Sequence, residues 1–295
     1  MAIKLILDTD IGTDVDDAWA LALCLASDEI DLLGVTLVHA DLDVRARIAL
    51  KMLRLARRAD IPVYKGLSTP LTRGAAVHWG GHEGAGTDFS DIEGLSALDG
   101  AVEFIVDTVE RHAGQVVVCP IGPLTNIAEA IRSSPDTMRK VTRLVIMGTT
   151  FDGEGPGYAA PEHNGCVDPA ATKIVLESGI PATIVGLNVT TRVSVNREDS
   201  RSLRGSPLGD YLTAMTDQHY DLIGRDFTWM HDPLAVAALV DPSLVTTRKM
   251  TAQVRGDGCV TYTAEGPLDV CVDVDADTFE KLLLSRIHSL TKKGD

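Results

Sequence analysis

The sequence predicts an α/β protein built on an open, mostly parallel sheet with helices on both faces. Three observations carry that expectation. Apolar strand-like runs alternate with helix-periodic segments for most of the chain. The runs are largely uninterrupted by polar residues, as strands covered on both sides are. A cluster of acids directly follows the first run, at the carboxyl end of a strand, where open α/β sheets place their ligands.

Taken in order, Ile3 to Leu7 is a short buried strand, and Asp16 to Leu25 is a helix that begins with acids at its favourable end. Leu32 to Val38 is the next strand and Asp43 to Arg58 the next helix. A short strand at Val63 to Tyr64 precedes a glycine-rich stretch, His78 to Gly86. A helix over Gly100 to His112, a strand over Val116 to Cys119 and a helix over Asn126 to Arg132 come next. Leu144 to Met147 is a strand, and Gly153 to Gly157 is a second glycine-rich interruption. A helix over Asp168 to Glu177 and a strand over Thr183 to Leu187 complete the alternating part. Glycine-rich stretches of this length in a compact domain are functional or disordered. Beyond residue 190 the pattern turns helix-rich, about Arg197 to Leu239. It then gives strands near Met250 to Val254, Val260 to Ala264 and Leu268 to Val274, and a final helix. No linker composition, repeat or low-complexity tract divides the chain. The expectation is one domain, 1–295, with a helix-rich C-terminal elaboration.

The 295 residues, 45 % of them hydrophobic, suffice for a sizeable core. A formal net charge of −15 argues against nucleic acid or an acidic membrane surface as partner and leaves a neutral metabolite open. The basic cluster Arg54 to Arg58 reads as the solvated face of a helix. The five cysteines, Cys24, Cys119, Cys166, Cys259 and Cys271, form no CxxC pair and read as reduced core residues. Met1 leads straight into a strand with neither signal architecture nor a bilayer-length apolar run, so a cytoplasmic protein is expected.

Chemistry concentrates in the acids Asp8, Asp10, Asp14, Asp16 and Asp17. Helix capping accounts for one of them, not five. Mutually repelling carboxylates gathered on one loop call for a cation, and calcium accepts the irregular oxygen set that a loop supplies. The spacing is not that of an EF-hand, so residues distant in sequence must complete the site. In Cys119 to Asn126, the Pro-x-Gly-Pro turn either offers a carbonyl as a ligand or is a strand-to-helix turn capped by Thr125. His231-Asp232-Pro233 is either a helix start with Asp232 as N-cap or part of a site, and His231 and Trp229 are either core or ligand-facing. Glu162-His163-Asn164 alone reads as loop surface.

Together these segments resemble the nucleoside hydrolase family, the inosine-uridine-preferring N-ribohydrolases. The anchors are Asp8-Thr9-Asp10-Ile11-Gly12 with Asp16-Asp17-Ala18, Pro120 to Asn126, Glu162-His163-Asn164 with Asp168-Pro169, and His231-Asp232. Each is weak alone, but the ordered set is specific. The resemblance implies a Rossmann-like core and calcium-dependent hydrolysis of the N-glycosidic bond of ribonucleosides, with metal-bound water as nucleophile. It further implies Asp10, Asp17, Asp232 and the Ile121 carbonyl as calcium ligands. Asp16, Glu162, Asn164 and Asn188 are then ribose contacts, His82 and Trp229 base contacts, and Asp8 a residue orienting the ligands. Asp10 takes the proton of the attacking water, and His231 serves the leaving base. Family members are commonly homodimers or homotetramers, which sets the expectation of a homo-oligomer acting on a small-molecule nucleoside in purine or pyrimidine salvage, without nucleic-acid or membrane partners.

Three positions depart from the family pattern. Thr13-Asp14-Val15 stands where one residue is usual, Asp41 stands where Asn is common, and Pro156 stands where an Asn often touches the ribose. Two other readings stay open. One is a magnesium phosphohydrolase of the haloacid dehalogenase type, with Asp8 as nucleophile. The other is a calcium-stabilised nucleoside or ribose sensor without turnover.

Overall fold

The computed structural model describes residues 2–150 and 162–292. Its strands are β1 (Ile3–Thr9), β2 (Ile30–Leu37), β3 (Val63–Lys65), β4 (Leu98–Asp99), β5 (Val116–Pro120), β6 (Arg143–Met147), β7 (Ala182–Val185), β8 (Ser194–Asn196), β9 (Phe227–Trp229), β10 (Val245–Val254), β11 (Val260–Ala264) and β12 (Leu268–Val274). The helices are α1 (Asp16–Ala26), α2 (Leu42–Leu55), α3 (Ala101–Arg111), α4 (Thr125–Ser133), α5 (Pro135–Met138), α6 (His163–Val167), α7 (Pro169–Leu176), α8 (Leu187–Thr190), α9 (Arg197–Arg201), α10 (Pro207–Ile223), α11 (His231–Val240) and α12 (Ala276–Lys292).

The large sheet runs β11-β10-β12-β7-β6-β5-β1-β2-β3-β4. From β12 to β4 neighbours pair in parallel, and only the pairs of β10 with β11 and β12 are antiparallel. Side chains alternate across it with the period of two that strands impose. Leu5, Leu7, Val117, Cys119, Val145 and Met147 join one core layer with Trp19 and Leu234. Ile6, Val116, Val118, Leu144 and Ile146 join the other, with Ile127 and Val175. Both faces are covered by helices, as the sequence predicts. Among the described residues no helix is long and apolar enough to cross a membrane.

The strand order reverses beside β1, whose neighbours are β5 and β2, so the carboxyl ends of β1 and β5 diverge to helices on opposite faces. That crevice receives the acids. Two close approaches shape it. Gly122, just after β5, lies so near Asp10 that a Cβ there would come within 2.6 Å of Asp10 Oδ1. Gly12 has φ of 121°, a conformation glycine adopts without the steric cost of a side chain.

Several boundaries differ from the sequence reading. The helix expected to reach Arg58 ends at Leu55, and Arg57 turns left-handed with φ of 58°. The strand expected to Leu187 stops at Val185, because Leu187 already opens α8. The helix-rich stretch 197–239 is interrupted by β9, which contains Trp229 and pairs with β8. Thr125 is not the cap of α4, since Leu124 holds that position without a side-chain bond. The Thr125 hydroxyl instead donates to Asp168 Oδ2 at 2.8 Å. Asp41 caps α2, accepting from the backbone N–H groups of Asp43 and Val44, a task Asp and Asn perform about equally well. Pro156 and the Gly153 to Gly157 stretch lie outside the described residues.

Candidate active site

The carboxyl ends of β1, β5 and β6 and the starts of α1, α6 and α11 converge on a cavity of about 190 Å³. Asp10, Asp16, Asp17, Ile121, Asp232 and His231 line it, together with Glu162 and Asn164. Asp16 and Asp17 are the first residues of α1, whose N-cap is Val15 without a side-chain bond, so the acids are not spent on capping. Asp232 stands in the first turn of α11. Its backbone N–H donates to Asp16 Oδ2 at 3.3 Å, joining residues 216 positions apart.

Asp16, Asp17 and Asp232 each offer a carboxylate oxygen within 4.8 Å of the others, and all three are buried. Asp10, 8 % exposed, lies against them. Burial raises the pKa of Asp16 to about 8, with the charge of Asp14 adding to it. Burial pushes Asp17 and Asp232 well above the usual carboxylate range, and the neighbouring Asp10 and Asp16 charges push in the same direction. Desolvated, mutually repelling acids of this kind stay ionised at neutral pH only with positive charge among them. The donor set is all hard oxygen, so the residues fit a divalent cation.

Ile121 is 1 % exposed, and its carbonyl accepts from Asn164 Nδ2 at 2.7 Å, which leaves a second lone pair for a ligand. The Asn164 side-chain nitrogen therefore acts within the protein. Glu162 caps α6, and its carboxylate accepts from the backbone N–H groups of Thr149, Asn164 and Gly165, each at 2.7 Å. Three of its roughly four acceptor positions are thus used internally.

His231 also lines the cavity, with Nδ1 at 2.7 Å from Thr190 Oγ1. Desolvation lowers its pKa to about 4, so the ring is neutral at physiological pH. Asn188 lies at the start of α8 with Nδ2 donating to Cys271 O at 2.9 Å, and Leu187 rather than Asn188 lines the cavity. Trp229 lies 5.9 Å from His231 between ring centroids and 4.6 Å beneath the Arg225 guanidinium. His82 lines a smaller adjoining pocket, with Nε2 at 2.9 Å from Thr13 O.

Asp8 is fully buried beneath the cavity. Its Oδ1 accepts from Thr36 Oγ1 at 2.5 Å and Asn126 Nδ2 at 2.7 Å. A carboxylate so enclosed cannot attack a phosphorus atom, which removes the geometric basis of the phosphohydrolase reading. Burial raises the Asp8 pKa to about 7, and its Oδ2 has no hydrogen-bond partner.

Arg45 escaped the sequence reading. It is fully buried, donating from Nε to His39 O at 2.7 Å and from Nη1 to Ile11 O at 2.9 Å. Its Nη2 lies 3.7 Å from Asp10 Oδ2. It thus fastens the acidic loop to α2 and brings one fixed positive charge to the cluster. The signal was present: Arg45, Ala49 and Met52 recur at the spacing of one helix face, and that face is buried. In the sequence His163 stands out only as a member of the Glu162-His163-Asn164 motif. Its Nε2 stands 3.9 Å from Asp10 Oδ2, with the rings of His39 and His78 edge-on to its own.

The family model described as inosine-uridine preferring nucleoside hydrolase matches residues 5–281. The pyrimidine-specific ribonucleoside hydrolase RihA of Escherichia coli is 34 % identical, over 97 % of this chain and 99 % of its own. The solved structure of a purine-preferring ribonucleoside hydrolase from Gardnerella vaginalis is 32 % identical with a TM-score of 0.85, covering 98 % of this chain and 99 % of that one. The plant nucleoside hydrolase PpNRh1 is 29 % identical with a TM-score of 0.86, covering 98 % and 100 %.

Proposed function

The chain belongs to the inosine-uridine preferring nucleoside hydrolase family and is an N-glycosyl hydrolase, and on that premise we propose that it hydrolyses ribonucleosides to ribose and free base with calcium as cofactor. The observation that carries the proposal is the buried triad Asp16, Asp17 and Asp232 meeting Asp10 and the Ile121 carbonyl in one cavity. Asp10, Asp17, Asp232 and Ile121 are the proposed calcium ligands, an irregular set of carboxylate and carbonyl oxygens suited to that ion. Bound calcium supplies Lewis-acid polarisation of water and coordination positions for the ribose diol.

The residues of the chain supply the rest. Breaking the bond develops positive charge on the ribose ring, which a desolvated group of carboxylates stabilises electrostatically. Asp10 accepts the proton of the attacking water. Asp16 accepts a hydrogen bond from the ribose, and Glu162 and Asn164 bound its 5′ side. Nδ1 of His231 lies 2.7 Å from the Thr190 hydroxyl; in this reading the hydroxyl donates to Nδ1, so that Nε2 carries the hydrogen and donates to the departing base. The neutral ring serves as a hydrogen-bond donor, not as a stored acid. The same reading makes the protein a cytoplasmic homodimer or homotetramer acting in nucleoside salvage.

Incubation with a panel of purine and pyrimidine ribonucleosides, followed by assay of free ribose, tests the proposal. Ribose release is expected. Nucleoside binding without ribose would return the sensor reading, and turnover of p-nitrophenyl phosphate alone would overturn the assignment. Stripping divalent cations with a strong chelator is expected to abolish ribose release and lower the melting temperature by about 5 °C, with calcium restoring both. That size follows from linkage at roughly a hundredfold excess of ion over its dissociation constant. An unchanged melting curve and full activity in chelator would reject the metal centre.

His231→Ala is expected to cut kcat/KM for nucleosides with poorly leaving bases by about 10²-fold and to affect p-nitrophenyl riboside far less, because that leaving group needs no proton. Equal losses on both substrates would assign His231 to holding the sugar or the fold.

A further inference from the structure

Thr13-Asp14-Val15 makes the acidic loop two residues longer than the family pattern, and the structure assigns the extra length a place. Asp14 does not join the buried triad. Its side chain is 70 % exposed, with Oδ1 3.9 Å from Nδ1 of His219 on α10. Thr13 and Asp14 line both the aspartate cavity and the adjoining pocket, forming the wall between the two.

The loop is held in that position. Thr13 Oγ1 donates to Glu83 Oε1 at 2.9 Å, and His82 lies against the Thr13 carbonyl. His219 is buried, and its other ring nitrogen lies 3.2 Å from Thr228 Oγ1. The adjoining pocket therefore has an apolar floor, including Ile48, Val15 and Met215, and a polar rim of Asp14, His219 and Gln218. Its volume of about 30 Å³ has space for about two waters. It takes the edge of a planar ring, not the whole ring.

We propose that Asp14, set by His219, is a specificity-determining acceptor that selects nucleobases presenting a ring N–H at their edge, of the hypoxanthine, guanine or uracil type. The inference rests on the nucleoside reading above and deepens it. A ribose over the triad sends its C1′ substituent past the Thr13–Asp14 wall, so the far edge of the base meets a carboxylate that only accepts hydrogen bonds. An N–H there is bonded, whereas an N-methyl group offers the carboxylate no donor and displaces water from it. Family relatives acting on pyrimidines and on purines stand at similar identity, so base choice belongs to local residues of this kind.

The test uses two matched pairs, inosine with 1-methylinosine and uridine with 3-methyluridine, because each pair differs only at that N–H. The unmodified protein is expected to favour the N–H member by about 10–100-fold in kcat/KM in whichever pair it hydrolyses. Asp14→Ala should reduce that preference about 10-fold, and Asp14→Asn, which keeps an acceptor oxygen, should reduce it less. A clash of the methyl group with residue 14 itself would be relieved in Asp14→Ala but kept in the isosteric Asp14→Asn, so a preference left whole in Asp14→Asn would assign it to bulk, and a partial loss there assigns it to the hydrogen bond. Turnover with a preference that Asp14→Ala leaves intact would overturn the proposal alone and make the pair with His219 a surface contact. Failure of the unmodified protein to release ribose from any nucleoside or from p-nitrophenyl riboside would defeat the nucleoside reading, and this proposal with it.

Discussion

Asp10→Ala is expected to lower kcat/KM for every nucleoside the protein hydrolyses by about 10³-fold or more. Loss of a general base alone removes ~10²–10⁴. The substitution also removes the carboxylate 3.7 Å from the fully buried Arg45 guanidinium, leaving Asp17 as the acid that faces its charge. Its effect therefore reaches calcium affinity as well as the reaction. Asp10→Asn separates the two effects, since it preserves the shape that Gly122 is packed against while removing the proton acceptor. Turnover should remain low in Asp10→Asn while the melting temperature stays near that of the unmodified protein. Steady-state kinetics, calcium titration calorimetry and thermal unfolding measure the three quantities. Full turnover together with full calcium affinity in Asp10→Ala would remove Asp10 from the centre of the mechanism.

Discrimination against 2′-deoxynucleosides is the second large effect, about 10²–10³-fold in kcat/KM. In the proposed reading the 2′-hydroxyl has two partners, the cation held by the aspartates and the carboxylate of Asp16. Removing it leaves a buried acceptor without its donor. Sites built to bond a hydroxyl reject the analogue lacking it by ~10⁴–10⁵. The expected value is smaller because water replaces part of the lost contact and the deoxy sugar forms its cation more readily. Asp16→Ala should narrow the gap between the two sugars. Comparable kcat/KM for a ribonucleoside and its 2′-deoxy partner would require abandoning the diol-bound mechanism.

Much of this was legible in the sequence because its signals are local. Apolar runs and helical spacing located most strands and helices of the alternating core, and acids immediately after β1 marked the ligand-binding end of the sheet. The convergence of Asp16 and Asp17 with Asp232 followed from ordered motifs, and the structure brings them together. What the sequence concealed is long-range or depends on a single backbone angle. Arg45 looks like any helical arginine until its partners, the carbonyls of His39 and Ile11, are seen around it. A cap at Thr125 is one of the two readings its place at a helix start allows, but Asp168, 43 residues later, claims its hydroxyl. Asp41 stood out as a departure, yet its carboxylate serves α2, where Asp and Asn are near equivalents.

The bond between Asp232 and Asp16 spans 216 positions, and nearby Trp19 Nε1 donates to Thr216 Oγ1 at 3.0 Å across a similar separation. This places the centre late in the order of folding. During synthesis strands β1 to β7 and both Asp16 and Asp17 emerge before the segment that completes the triad. Contacts of such sequence separation form slowly because a long loop must close before they contribute. On the proposed reading, a cation at the triad would select only the finished arrangement, so its stabilisation would be absent from the early folding transition state and fall mainly on the rate of unfolding. Such an ion would act as a latch on the completed chain, lengthening the life of the native state and leaving the speed of its formation largely unchanged.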